Sequence, residues 1–181
     1  MAIRPIITPE NPALRQKAKK VAAFGPALRA LADDMVDTMR EAPGVGLAAP
    51  QVAVSQRLIV VEYAPDPEED SDEEPAPPKL YRLVNPEIVK VSEEMLMGTE
   101  GCLSIPGYAG DVERHAAVVV KGFNLHGKPV KIKADGWLAR IFQHEIDHLD
   151  GVLFIDRALK IWRVTSEASE VRVKVPESGD A

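Results

Sequence analysis

The stretch that most limits how this chain can fold is Gln143-His144-Glu145-Ile146-Asp147-His148-Leu149-Asp150-Gly151. It contains H-E-x-x-H. On an α-helix, residues four apart lie one above the other on the same face. His144 and His148 can therefore point two imidazoles at one metal ion, with Glu145 beside them. Short patterns recur by chance, so the motif needs a helix around it and a third ligand. The helix is supported by its own signals. Asp135 suits the cap, Leu138, Ile141, Phe142, Ile146 and Leu149 form an apolar stripe, and Gly151 suits the position just past the end. The spacing predicts a helix over roughly 136–149.

Cys102 is the natural third ligand. It is the only thiol, and it lies in the Gly-flanked stretch Glu100-Gly101-Cys102-Leu103-Ser104-Ile105-Pro106-Gly107-Tyr108. The bland alternative is a buried small hydrophobe. A Cys–His–His set leaves a fourth position open for water, as catalytic sites do. A divalent ion there brings a bound water's pKa from ~15.7 to near 7. Glu145 can then take the water proton and return it to a leaving amine. The oxyanion this creates needs donors, and the candidates are the Gln51 side-chain amide and the Leu103 backbone N–H. The chemistry is amide hydrolysis.

Gln51 ends a second unusual stretch, Gly44-Val45-Gly46-Leu47-Ala48-Ala49-Pro50-Gln51. With one polar side chain, it does not read as a solvated loop. It is either a tight turn into a buried strand or a rim where a ligand's backbone meets the protein's. No Gly-Lys-Ser/Thr follows, so a phosphate loop is excluded.

The remaining elements follow from periodicity. Asn11 and Pro12 open a short helix with the stripe Leu14, Ala18, Val21. A second helix runs from Pro26 to about Ala42 on Leu28, Leu31, Met35 and Met39. Strands are expected at Leu58–Tyr63, at Tyr81–Val84 and across Ile88, Val89 and Val91, with Asn85-Pro86 as a break. His115–Gly122 and Pro129–Ala134 form a hairpin around Leu125-His126-Gly127-Lys128, and Val152–Ile155 a short strand. His115 and His126 lack ligand spacing with any partner.

One catalytic domain is expected over residues 1–164, with a loosely held polar tail at 165–181. The 181 residues suit a single core. Seven acids without a Lys or Arg sit between positions 64 and 78, more than the whole formal charge of −6. That segment is expected to be a mobile surface insertion. No basic stripe or nucleic-acid motif is present, no apolar run approaches the ~18 residues of a membrane span, and no leader is visible. A cytoplasmic enzyme is the expectation.

Three segments carry a resemblance: Gly44–Gln51, Glu100–Ser104 and Gln143–His148. In order and spacing they resemble the three signature motifs of the peptide deformylases, over about residues 3–160. The resemblance implies an α+β fold with antiparallel β-sheets packed around a central C-terminal helix carrying the motif. It implies removal of the formyl group from the N-terminal formylmethionine of nascent polypeptides. It implies one divalent ion, Fe2+ in the cell and often Zn2+ or Ni2+ in preparations, held by Cys102, His144 and His148. Glu145 is then the acid/base, and Gln51 with the Leu103 N–H holds the oxyanion. Gly46 permits close approach of the substrate, Val45 pairs with its backbone, and Trp137, Arg140 and Ile141 help line the methionine pocket. Glu100 and Arg114 pair to brace the cysteine loop. The chain departs from the pattern at Ala109, where many relatives carry Arg, and in the long acidic insertion. The tail lacks a basic amphipathic helix, so it does not support docking to ribosomal RNA. Two rival readings share the motif: a zinc endopeptidase, and a degenerate paralogue using the metal structurally or as a binding module.

Overall fold

The computed structural model describes residues 2–64 and 77–164 and the backbone of Val171–Arg172. Most of the acidic insertion and of the polar tail lies outside the described residues.

Helix α1 (Pro26–Glu41) is capped by Gly25 with Pro26 in its first turn. It ends where the Ala42 N–H reaches Thr38 O. Its predicted stripe is buried, joined by Ala32 and Val36. Strands β1 (Gly46–Ala48), β2 (Leu58–Tyr63), β3 (Lys79–Val91), β4 (Met95–Gly101), β5 (Tyr108–His115), β6 (Ala117–Phe123) and β7 (Pro129–Asp135) precede helix α2 (Gly136–Leu149). Strands β8 (Lys160–Arg163) and β9 (Val171–Arg172) follow it. All strand pairs are antiparallel, in a five-stranded sheet β1-β2-β3-β6-β7 and a four-stranded sheet β4-β5-β8-β9. The expected α+β class is the observed one.

Strand β2 shows why both helices are needed. Side chains alternate across a strand. Leu58 and Val60 therefore pack with Leu31, Met35 and Met39 of α1, while Ile59 and Val61 pack with Ile141, Phe142 and Ile146 of α2. Both faces of the strand are covered, which is why Leu58–Val61 is an unbroken apolar run. A third cluster, Leu14, Ile105, Val112, Leu153 and Phe154, lies beside the four-stranded sheet.

Several expectations need correction. Only Pro12–Arg15 is helical, as a single 3₁₀ turn. Leu14, Ala18 and Val21 do not share a stripe but enter three different clusters. Asn85-Pro86 does not break β3; the strand passes through with a register shift between Val84 and Glu87. Asn85 takes φ +51° there, and its amide holds the Val21 backbone by two bonds. Val152–Ile155 is no strand, since Phe154–Asp156 forms a 3₁₀ turn capped by Asp156 on the Leu153 N–H. His115 closes β5 rather than opening β6. The hairpin is as expected: Gly127 takes φ +76°, and the Asn124 carboxamide oxygen accepts from the His126 and Lys128 N–H groups.

Candidate active site

Helix α2 has the predicted bounds. Asp135 occupies its cap position without a side-chain cap bond, and Gly151 follows its end at φ +77°. The helix brings His144 and His148 onto one face. Cys102, at the turn just after β4, meets them there. The ligand atoms of Cys102, His144 and His148 all lie within 4.8 Å of one another. Cys102 Sγ is 3.2 Å from His148 Nε2. The Ile105 N–H closes the turn onto Cys102 O.

A buried carboxylate orients the first imidazole. Glu100 Oε2 lies 2.9 Å from His144 Nδ1. A carboxylate only accepts, so Nδ1 carries the hydrogen and Nε2 turns to the cluster. Glu100 also takes two bonds from Arg114 and one from Arg140. The brace expected between Glu100 and Arg114 is thus present, with Asp147 holding the far side of Arg114. Burial alone would raise Glu100, but the hydrogen bonds from His144 and Arg114 hold its carboxyl down at about 2.

The electrostatics fit a cation. Burial alone would lower His144, yet its hydrogen bonds to Cys102 and Glu100 and the charge of Glu145 outweigh that and hold it at about 10. The groups around His144 thus favour positive charge on it. His148 is pushed well below its ordinary value, first by burial and then by the charge of His144. It is a neutral imidazole, the form that ligates. The donor set of one thiolate and two imidazoles fits a single borderline or soft divalent ion.

Glu145 is buried, and its Oε2 has no hydrogen-bond partner among the described residues. Burial is the main reason its carboxyl is raised to about 7, the range in which a group can both take and give a proton. Gly46 backs onto this carboxylate: a Cβ there would stand 2.8 Å from Glu145 Cδ. The glycine of the first motif is therefore fixed by the acid of the third. Gln51 Oε1 accepts from the Ala48 N–H at 2.8 Å, which settles the amide orientation. Its Nε2 then points at the cluster, 3.5 Å from Cys102 Sγ and 3.2 Å from Ser104 Oγ.

A cavity of about 350 Å³ opens over these groups. Val45, Gly46, Gln51, Cys102, Leu103, Trp137, Arg140, Ile141, His144 and Glu145 all line it. His148 alone of the predicted set lies beneath, 1% exposed. Val45 and Trp137 stand at the mouth, both about half exposed. Arg140 lines the cavity as expected, and its guanidinium is in addition tied into the protein by four hydrogen bonds. Sequence reasoning missed Ser104, fully buried beside Gln51. A serine between two apolar residues in a Gly/Pro-flanked loop was the available signal. It also missed Asp147, which lies three residues from His144 and bridges Arg114 and Arg157. Ala109 is buried in β5 between Gly101 and Trp162.

Fold and site together define a class: a Cys–His–His cluster that could hold one metal ion, on a helix packed against antiparallel sheets. Residues 3–163 match the model of the polypeptide deformylase family. The chain is 52% identical over 170 residues to a peptide deformylase of Symbiobacterium thermophilum, covering 94% of this chain and 73% of that protein. It is similar to the Met-Ala-Ser-bound class I type b peptide deformylase of Acinetobacter baumannii, with a TM-score of 0.78, 41% identity, and 86% and 98% of the two chains covered. The peptide deformylase of Thermotoga maritima gives a TM-score of 0.75 and 39% identity, with 87% and 99% covered. The chain belongs to the polypeptide deformylase family. It is an enzyme of that kind, and its activity is removal of the N-formyl group from nascent peptides. Among the described residues, no helix is long and apolar enough to cross a membrane.

Proposed function

We propose that the chain hydrolyses the formyl amide of N-formylmethionyl peptides in the cytoplasm, with Glu145 as proton carrier and Gln51 and the Leu103 N–H as oxyanion donors. The observation that carries this is the convergence of Cys102, His144, Gln51 and Glu145 on one cavity. Cys102, His144 and His148 would hold the ion, Fe2+ by family resemblance, with Zn2+ or Ni2+ able to replace it. Such an ion lowers the pKa of a bound water and polarises the carbonyl it faces. Glu145 takes a proton from the attacking water and delivers it to the departing nitrogen, so one C–O bond forms as the C–N bond breaks, giving formate and an amine. Gln51 Nε2 and the Leu103 N–H stabilise the charge that develops on the formyl oxygen. Val45 would pair with the substrate backbone at the cavity mouth, its own carbonyl already accepting from the Glu62 N–H. Trp137 and Ile141 border the space for the methionine side chain, consistent with a relative that binds Met-Ala-Ser. The catalytic unit is residues 1–164.

The test is formate release from formyl-Met-Ala-Ser by anaerobically purified protein, with metal analysis of the same sample. Stoichiometric formate and free Met-Ala-Ser are expected. Intact formyl peptide alongside cleavage of internal bonds would establish an endopeptidase instead.

A further inference from the structure

Arg140 stands in the cavity wall, yet it is 5% exposed and its polar atoms face inward. Nη1 donates to Glu100 Oε1 at 2.9 Å, to Val112 O at 2.8 Å and to Gly98 O at 3.4 Å. Nη2 donates to Leu96 O at 2.6 Å. Leu96 and Gly98 belong to β4, an edge strand whose one neighbour is β5. One side chain of the metal helix therefore grips both an edge strand and the carboxylate that orients His144. The fork geometry of guanidinium allows this; a single ammonium cannot reach the same acceptors.

Gly98 answers to the same group. A Cβ on it would stand 2.7 Å from Arg140 Cζ and 2.8 Å from both Nε and Nη2. Its φ is not positive, so backbone freedom is not what the position requires. It is glycine to make room for the guanidinium.

We propose that Arg140 is a positioning residue that holds Glu100 on the metal ligand His144 and locks β4 to α2, with Gly98 as its obligatory partner. The part concerning His144 rests on the proposed metal centre, while the lock between β4 and α2 does not. It gives Arg140, besides its place in the cavity wall, the support of the site behind it. Loss of such outer support typically weakens metal binding 10–100-fold.

The test uses the full chain, with Co2+ as the probe, read by its thiolate charge-transfer absorption, and thermal melting of the metal-free protein. Arg140→Lys should weaken Co2+ binding at least about 10-fold, and Gly98→Ala should weaken it while lowering the metal-free Tm by several degrees. In the double variant the slimmer ammonium leaves space, so Gly98→Ala should cost less there than in the wild-type background. Unchanged Co2+ affinity in both single variants, or an equal cost of Gly98→Ala in the two backgrounds, overturns the proposal. If Arg140→Lys fails to fold, Gly98→Ala decides alone: Co2+ affinity and Tm both at wild-type values overturn it. A wild-type protein that gives no thiolate–Co2+ band would instead remove the metal centre, and the melting cycle would still decide the lock.

Discussion

The two helices have similar lengths and both pack on the five-stranded sheet, but they bury different things. Helix α1 buries an apolar stripe plus Thr38, and none of its acids is fully buried. Helix α2 buries Ile141, Phe142, Ile146 and Leu149, and with them Arg140, Gln143, Glu145 and His148. A buried polar group costs free energy unless it is partnered. On α2 the partners come from elsewhere in the chain: Gln143 exchanges bonds with the His115 backbone, Arg140 with β4 and β5, and His144 with Glu100. Helix α1 is an anchor that needs only shape. Helix α2 needs the five-stranded sheet for its apolar side and strands β4 and β5 for its polar groups. Glu145, whose Oε2 is buried with no hydrogen-bond partner among the described residues, is the group assigned to move a proton.

That contrast can be broken at several points. Glu145→Ala should lower turnover by about 10²–10⁴-fold while metal content and melting temperature hold. Retained activity would remove Glu145 from its role. On the other helix, Met35→Ala should cost about 2–5 kcal/mol of stability, because Met35 is fully buried between α1 and the sheet. Denaturant unfolding checks it, and formate release per folded molecule should not change. If activity fell with it, the helices would not be separable in the way described. Gln51→Leu should reduce kcat about 10²–10³-fold, and the metal content of the purified variant distinguishes lost oxyanion support from a lost site. The smallest effect is expected at Asp34, where the N-terminal segment meets α1. The Ala2 backbone N–H and the Arg4 guanidinium hold its carboxyl below the ordinary 3.8. Its folded-state value is depressed, so its contribution is present above that ordinary value and is lost as pH falls through the folded one. Asp34→Asn should therefore be slightly less stable than wild type at neutral pH, and the difference should close in acid. A gap that persists unchanged at pH ~2, below the usual carboxylate range, would contradict this.

How much of this was legible in the sequence depends on where each residue finds its partner. Helices α1 and α2, strand β2 and the β6–β7 hairpin were readable because their signals are local: a 3.6 period, an apolar run, a turn glycine. Strands β4 and β8 were not. Met95-Leu96-Met97 is exposed on both faces at a sheet edge, and Lys160–Arg163 alternates weakly, so each exists as strand through pairing with distant segments, β4 with β5 and β8 with β5 and β9. Leu14, Ala18 and Val21 show the converse error, a helical spacing without a helix, because three separate cores take one residue each.

The sequence by itself narrowed the chemistry. The only thiol, two histidines a helical turn apart, an acid between them and a lone glutamine in an apolar stretch left few reactions open. Tertiary structure decided what holds those groups in place. Glu100 collects Arg114, Arg140 and His144 from two elements. Gly46 is glycine because of Glu145, and Gly98 because of Arg140, side chains that lie far from them along the chain. No local pattern records such contacts, since they are set by packing between segments whose separation in sequence carries no period.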